Sequence, residues 1–307
     1  MTLSTQSMFS RASQQMQDLQ AAINKTQVQI STGQQLTGAS DDPQKSNLIS
    51  GLQLAIDRQD AYARSVGSLS DRLKGAETAL TAATKDMARL KQLAVQAAND
   101  TLSTSDRAAI GLEVDGIRHD LQSLAATRDV DGNYLFSGTR MTTAPFESDA
   151  AGGLAYGGDQ VDTSIEIGEG RVLTLQLAGP KIFTGVRRDG ANGQPGQAGF
   201  FQVIDDFSAA VRSSDAAGMQ RGLAELDTLA DGLTLATARV GSYQKQLDSQ
   251  QSVLDATKLQ LQSTLSSLRD SDYTEAITRL QQQTLSLQAA QGSFARTADL
   301  NLFNFLK

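Results

Sequence analysis

The sequence predicts a mainly α-helical protein with a small β insert: a long antiparallel helical rod or coiled coil with paired terminal helices and an outer Gly-rich β domain. Apolar residues recur at alternating spacings of three and four along most of the chain, which is the 3.5-residue period of a left-handed supercoiled seam. The period is interrupted in the middle, where residues 140–199 hold twelve of the 26 glycines and three of the four prolines. Both chain ends keep the helical spacing but carry few charges, which sets them apart from the rod.

The first long seam predicts a helix from about Pro43 to Asn99. Apolar positions follow the three-four spacing from Leu48 to Ala97 without a slip. Proline suits the first helical turn, and Asp41 or Asp42 can cap it. At 1.5 Å per residue such a helix is about 85 Å long. This exceeds the diameter of a compact domain of this size, so the pattern indicates a rod.

Two further helices follow from the same spacing. One starts after a cap within Thr104–Asp106 and has its seam at residues 110–124. The other carries a seam from Met219 to Leu268, and the long connections let it run antiparallel to the first helix. Between them, alternating runs at 164–167 and 172–177 predict a β-hairpin. The glycine-rich stretch at 190–199 is interpreted as a loop.

The chain ends form a separate pair of helices. A stripe from Phe9 to Ile30 ends at Gly33, a plausible C-terminal cap, and a looser stripe covers residues 277–302. Nine glutamines and only three charges lie in residues 1–35. Such faces suit helices surrounded by other protein, and alone they bury too little apolar surface to offset their ordering entropy. We expect both ends to be disordered in the monomer and to order on assembly.

These patterns predict three domains. The terminal helices, residues 1–40 and 270–307, form an inner assembly coiled coil. Residues 41–139 and 200–269 form the helical rod, and residues 140–199 form an outer domain whose loss should spare the rod. The predicted assembly interface consists of the large apolar residues of the terminal stripes: Phe9, Met16, Leu19, Ile23, Ile30, Ile277, Leu280, Leu287, Phe294, Leu302, Phe303 and Phe305.

The composition excludes several kinds of chemistry. The 307 residues contain no cysteine and one histidine, so neither a thiolate site nor a multi-histidine metal site can form. A net charge of −7 argues against nucleic acid as a partner, because phosphate binding needs clustered Lys and Arg. No stretch reaches the roughly 18 apolar residues of a membrane span, and no cleaved signal peptide is visible at the N-terminus. We expect no cofactor, no nucleic acid and no membrane partner.

Local motifs offer no catalytic site. Asp129–Asn133 superficially looks like a calcium loop, but its glycine is fourth rather than sixth, so a turn is the better interpretation. His119 lies off the helical seam and is expected on the surface. Three hypotheses remain: a self-assembling structural protein, a helical-hairpin signalling or adaptor protein, and an enzyme in the β insert. The enzyme lacks a convergent titratable set, and the hairpin would not need a β insert. The structural hypothesis uses every feature.

Several segments together resemble the flagellin superfamily. The resemblance is carried by Gln27–Gly33, Ser40–Pro43, Met87–Asn99, Asn133–Gly138, Asp272–Ala276, Leu287–Ala290 and Leu300–Leu306. It covers about residues 1–140 and 200–307. The family motif is Ser31, Thr32, Gly33, Asp41, Asp42 and Pro43. Flagellins usually have Ser-Ser-Gly and Asp-Asp-Ala at these places, so the chain is more similar to the superfamily's hook–filament junction branch than to filament flagellin, which is the alternative.

The resemblance implies a non-enzymatic, structural role in the bacterial flagellum. It implies export through the flagellar type III apparatus without a cleaved signal, and an extracellular location at the hook–filament junction. The implied partners are further copies of the chain in a helical ring, a neighbouring hook-associated protein, flagellin and an export chaperone. The implied role is mechanical, matching a flexible hook to a stiffer filament and so supporting motility.

Overall fold

The structure is a computed structural model of the chain. It describes the backbone of residues 2–99, 101–148, 153–189 and 195–303, and the side chains of these residues other than 2–6, 148, 189, 195 and 297–303. The described helices are α1 (Thr2–Thr32), α2 (Pro43–Ala97), α3 (Thr104–Ala125), α4 (Gly179–Ile182), α5 (Phe200–Ser213), α6 (Ala216–Arg269) and α7 (Tyr273–Phe303). The described strands are β1 (Phe146–Ser148), β2 (Leu154–Tyr156), β3 (Thr163–Gly168), β4 (Arg171–Leu175), β5 (Val186–Asp189) and β6 (Pro195–Ala198).

The chain divides into two compact units. Unit 1 comprises residues 1–59 and 256–307, and unit 2 comprises residues 60–255. Helices α2 and α6 each contribute to both units, because their long seams continue past the division. The predicted mainly α-helical fold with a small β insert is confirmed.

The helix starts follow their capping residues. Asp42 caps α2, since its side chain accepts a 2.9 Å hydrogen bond from the backbone N–H of Lys45, and Pro43 takes the first turn as expected. Helix α3 starts at Thr104 with Ser103 as its N-cap, just before the predicted cap segment. Ser103 and Asp106 form a reciprocal capping box, which satisfies two backbone N–H groups at that end.

The helices of unit 2 run antiparallel. Glu77 of α2 accepts a 2.9 Å hydrogen bond from Gln244 of α6. Farther along α2, Lys91 pairs with Asp227, which lies earlier in α6. Residue numbers therefore rise along one helix as they fall along the other, and the predicted antiparallel arrangement of the first and third long helices is confirmed.

Helix α5 was not predicted as a separate element. It packs antiparallel to α3 through Arg118, whose guanidinium donates two hydrogen bonds to Asp205 at 2.7 and 3.1 Å. Ser214 ends α5 with a left-handed φ of 55°. The apolar face of α5 is built on phenylalanines that precede the long stripe of α6, so the three-four spacing of that stripe does not reveal it.

The described part of the β insert forms three antiparallel two-stranded sheets: β1 with β2, β3 with β4, and β5 with β6. The hairpin predicted at 164–167 and 172–177 is β3 and β4, and Gly170 turns it with a φ of 67°. The loop interpretation of 190–199 was wrong for residues 195–198. They form β6 and pair with β5, while residues 190–194 lie outside the described residues.

One hydrophobic core joins the helices of unit 2 to the β insert. Phe183 is almost fully buried at its centre, with ring centroids 5.6 Å from Phe136 and 5.3 Å from Phe200. This cluster crosses the expected boundaries at residues 139 and 200. The three-domain division stays a prediction, but the continuous core argues against an outer domain whose loss spares the rod.

We expect Phe183→Ala to lower the free energy of unfolding of unit 2 by about 3–5 kcal/mol, the usual cost of removing a buried phenylalanine. Because the core is shared, the helical circular dichroism signal should unfold at a lower urea concentration. The matched control is Val130→Ala, since Val130 is 95% exposed. An unchanged helical transition in Phe183→Ala would show that the β insert is energetically separate.

Candidate assembly interface

Helices α1 and α7 of unit 1 pair along their apolar stripes. On α1, Ile23 is buried at the middle of the stripe, while Phe9 near the helix start is half-buried. Phe9 meets Phe294 of α7 edge to face, with ring centroids 5.1 Å apart. This is a favourable aromatic geometry. The sequence-predicted partnership of the two chain ends is therefore present within one chain.

A buried polar contact lies in the same seam. Thr26 is 2% exposed and lies on the three-four spacing of α1. Its hydroxyl is 3.0 Å from the side-chain oxygen of Gln283 on α7, and it also bonds the backbone oxygen of Ala22 at 3.0 Å. A polar contact of this kind favours one register of the two helices, because a slip would place the Gln283 side-chain oxygen against apolar residues of the seam.

The stripe on α7 is more regular than the sequence analysis indicated. It begins at Ala276, which is 2% exposed, rather than at Ile277, which is 46% exposed. From Ala276 the spacing alternates strictly four and three, through Leu280, Gln283, Leu287, Ala290 and Phe294. Counting alanine and glutamine as seam residues would have found it.

The predicted interface residues fall into four groups. Half-buried positions on the paired helices are held by Phe9, Met16, Leu19, Ile30, Leu280, Leu287 and Phe294. Ile23 is buried and Ile277 is exposed. The side chains of Leu302 and Phe303, and the whole of Phe305, lie outside the described residues. Their role in assembly stays a prediction.

Large apolar side chains remain exposed on the helices of unit 1. They are Met8, Val28, Leu48, Leu54, Leu259, Tyr273, Ile277 and Leu285. The predicted interface included only Ile277 among them. Leu48 was expected at the start of the first long seam, and the structure instead leaves it 52% exposed. At the free end of the pair, a groove of about 500 Å³ is lined by Met8, Phe9, Ala12, Gln15, Ser286, Ala289, Ala290, Ser293 and Phe294.

The motif Ser31-Thr32-Gly33 forms the corner at which α1 ends. Gly33 has a φ of 69°, which favours glycine, and a Cβ at this position would lie 2.8 Å from the Tyr273 hydroxyl. The Gly33 carbonyl accepts a 2.9 Å hydrogen bond from Ser271, and the Arg269 carbonyl accepts a 2.7 Å bond from Gln35. The break between α1 and α2 is thereby bonded to the break between α6 and α7.

Asp41 of the second motif ties the corner loop back onto α1. Its carboxylate pairs with Lys25 at 2.8 Å and accepts bonds from the Thr37 hydroxyl and backbone N–H at 2.6 and 3.0 Å. The Lys25 contact, followed by the Thr37 bonds, lowers the pKa of Asp41 well below its ordinary range. Asp42 and Pro43 instead start α2, so each part of the motif has its own task.

The other candidate sites are structural. Asp129 accepts bonds from the backbone N–H groups of Asp131 and Asn133 at 3.0 and 2.9 Å, and Gly132 has a φ of 83°. The predicted turn is confirmed. His119 is exposed, as expected. Across the described ranges, no cluster of three or more potential ligand side chains could hold a metal ion. Among the described helices, none has the length and hydrophobicity that a bilayer crossing requires.

Paired terminal helices, two helix breaks bonded to each other and exposed apolar side chains are the features expected of a structural subunit. The profile of the bacterial flagellin N-terminal helical region matches residues 3–141, and that of the C-terminal helical region matches residues 223–306. The chain belongs to the bacterial flagellin family. It is accordingly a structural, non-enzymatic component of the flagellum.

Individual relatives agree with the family. Flagellar hook-associated protein 3 of Escherichia coli K12 is 27% identical over 320 residues, covering 100% of both chains. Flagellin B of Vibrio cholerae serotype O1 is 25% identical, covering 92% of this chain and 99% of its own. The crystal structure of flagellar hook-associated protein 3 from Legionella pneumophila has the same fold, with a TM-score of 0.64 and 15% identity over 72% of this chain and 98% of its own.

We expect Gly33→Ala to loosen the bonds between the two helix breaks. An alanine forced to a φ of 69° costs about 1–2 kcal/mol, and the Tyr273 hydroxyl must also shift. Amide hydrogen exchange at Gln35 and Ser271, the two bridging donors, should quicken by roughly tenfold. Gly51→Ala is the matched control, because no atom lies within 4 Å of its added Cβ. In Gly51→Ala, amide exchange at Gln35 and Ser271 should be unchanged or slower. Equal exchange in both variants would contradict this account.

The contacts of Asp41 with Lys25 and Thr37, here called the Asp41 latch, should persist in mild acid. Because its pKa is lowered in the folded chain, the contact adds stability above the ordinary aspartate pKa of about 3.9 and loses it only as pH falls through the lowered value. The Thr37 amide should therefore be protected from exchange at about pH 5 as it is at neutral pH. In Asp41→Asn the Thr37 amide should be less protected at both pH values. Wild-type protein that matched Asp41→Asn at about pH 5 would refute the latch.

Proposed function

We propose that the protein is the hook–filament junction protein of the bacterial flagellum. One observation carries the proposal: the alignment with hook-associated protein 3 spans both chains completely. The helices, the β insert and the ends of this chain therefore all have counterparts in a protein of that name. Filament flagellin is the second candidate, because flagellin B aligns over most of both chains.

The geometry of unit 1 supports a role in self-assembly. The α1–α7 pair satisfies one apolar seam within the chain, yet large apolar side chains remain exposed on α1, α2, α6 and α7. Each such side chain contributes roughly 1.5–3 kcal/mol when fully buried. Neighbouring copies in a helical ring would bury them. The proposed partners are other copies, a neighbouring hook-associated protein, flagellin and an export chaperone.

Export and location follow from the same proposal. A junction protein has to leave the cell through the flagellar apparatus and act outside it. The charge-poor terminal helices bury little apolar surface of their own, and we propose that they are disordered while the chain is exported and adopt the described α1–α7 pairing outside the cell. The mechanical role is to join a flexible hook to a stiffer filament.

The deciding experiment is electron microscopy of cells that lack the gene, with filament protein measured in the medium. Intact hooks without filaments, together with filament protein shed to the medium, are expected for a junction protein. Intact hooks with no filament protein in the medium would instead identify the chain as filament flagellin. Normally attached filaments would refute both functions.

We expect Ile277→Asp to block assembly while leaving the monomer intact. Ile277 is 46% exposed, so a charge there meets water in the free chain but a desolvated surface in a ring. Complemented cells should lose most swimming, and the purified protein should keep its melting temperature within a few degrees. Ile277→Val is the matched control and should swim normally. Normal motility with Ile277→Asp would remove this residue from the interface.

A further inference from the structure

A cavity of about 810 Å³ in unit 2 has no part in the proposed helix-pair interface. It lies between α2, the loop that follows α3, and Ile165 of β3. Three arginines and three aspartates line it: Arg64, Arg72, Arg128, Asp71, Asp129 and Asp131. Its charged lining distinguishes it from the apolar groove of unit 1.

Arg72 is the unusual group in this cavity. Its Nε is buried and has no hydrogen-bond partner among the described residues. Its other nitrogens make only long contacts, 3.5 Å to the Leu135 carbonyl and 3.6 Å to the Met141 sulfur. Burial lowers the pKa of Arg72, and the Asp129 carboxylate acts in the opposite direction. The guanidinium thus loses water without gaining strong acceptors, which is unfavourable.

The other charged groups of the cavity already have partners or lie at its rim. Arg128 donates to the Tyr134 hydroxyl at 2.5 Å, and its guanidinium carbon sits 4.2 Å from that ring's centroid. Asp71 pairs with Lys74 at 3.2 Å. One oxygen of Asp129 serves its own loop. Arg64 and Asp131 are exposed. The unused donor capacity therefore belongs to Arg72.

We propose that this cavity binds a carboxylate, carried by an acidic side chain of a second copy of the chain. A guanidinium presents its N–H groups in a planar fork that matches a carboxylate. A ligand accepting from Nε and a neighbouring nitrogen would supply the acceptors that Arg72 lacks. The chain has 34 acidic against 27 basic residues, so every copy carries many carboxylates that could accept from Arg72. The second-copy part rests on the proposed function.

The direct test uses N-acetylaspartate methylamide as the probe on the full-length monomer. The Nε–H resonance of Arg72 should shift saturably, with a dissociation constant on the order of 1–10 mM. The neutral probe N-acetylasparagine methylamide should leave it unchanged. Followed through the backbone amide resonances of Gly75 and Leu135, which line the cavity, the affinity should fall by at least about tenfold in Arg72→Lys, which lacks the fork. It should stay unchanged in Arg221→Gln, because that exposed arginine lies outside the cavity lining. No saturable shift, or an equal shift with both probes, overturns the proposal.

A stability measurement separates binding from a structural role. Because Arg72 lacks good partners in the monomer, Arg72→Met should keep or raise the melting temperature. The same variant should assemble at least about tenfold less well than wild type. A large loss of monomer stability would make Arg72 a structural residue and overturn the proposal, and normal assembly would overturn its second-copy part. The probe titration does not depend on assembly, so a failed junction function would be distinguishable from a failed site.

Discussion

Unit 1 depends on the hydrogen bonds that join two interhelical turns, one between α1 and α2 and the other between α6 and α7. Gly33 and Ser271 share one backbone hydrogen bond, and Gln35 and Arg269 share another. These bonds hold the end of α1 beside the start of α7. The apolar stripes of the two helices then begin from a common point and can meet along their length. A side chain at Gly33 would disturb both the backbone conformation and the space occupied by Tyr273.

The register of the helix pair has a separate origin. Leucine and alanine positions alone would tolerate a slip of one heptad, because the stripe repeats. Thr26 and Gln283 meet at 3.0 Å within the seam, and a shifted pair would leave the half-buried side-chain oxygen of Gln283 without this contact. Phe9 and Phe294 lock the far end in the same register. An assembly subunit gains from this, since its exposed apolar side chains are then presented in one arrangement.

Unit 2 is organised differently, around aromatic residues rather than heptads alone. Phe136, Phe183 and Phe200 bring the chain after α3, the β insert and α5 into one core. The β insert therefore contributes side chains to the same hydrophobic core as the helices. Nearby, Arg188 binds both oxygens of Glu225 at 2.7 Å, which fastens β5 to α6. Such contacts join segments that lie far apart in the chain.

Local patterns in the sequence determined the long helices, the start of α2, the end of α1 and the hairpin turn. A 3.5-residue period, Asp42 before Pro43, Gly33 after a stripe and Gly170 between alternating runs each act over a few residues, so they are readable without a fold. Only the tertiary structure decided which residues at the edge of a stripe are buried. Ala276 lies in the seam and its larger neighbour Ile277 does not, because packing depends on direction around the helix and not on hydrophobicity alone. The phenylalanine cluster and the unpartnered Arg72 arise in the same way, from contacts between residues that only the fold brings together.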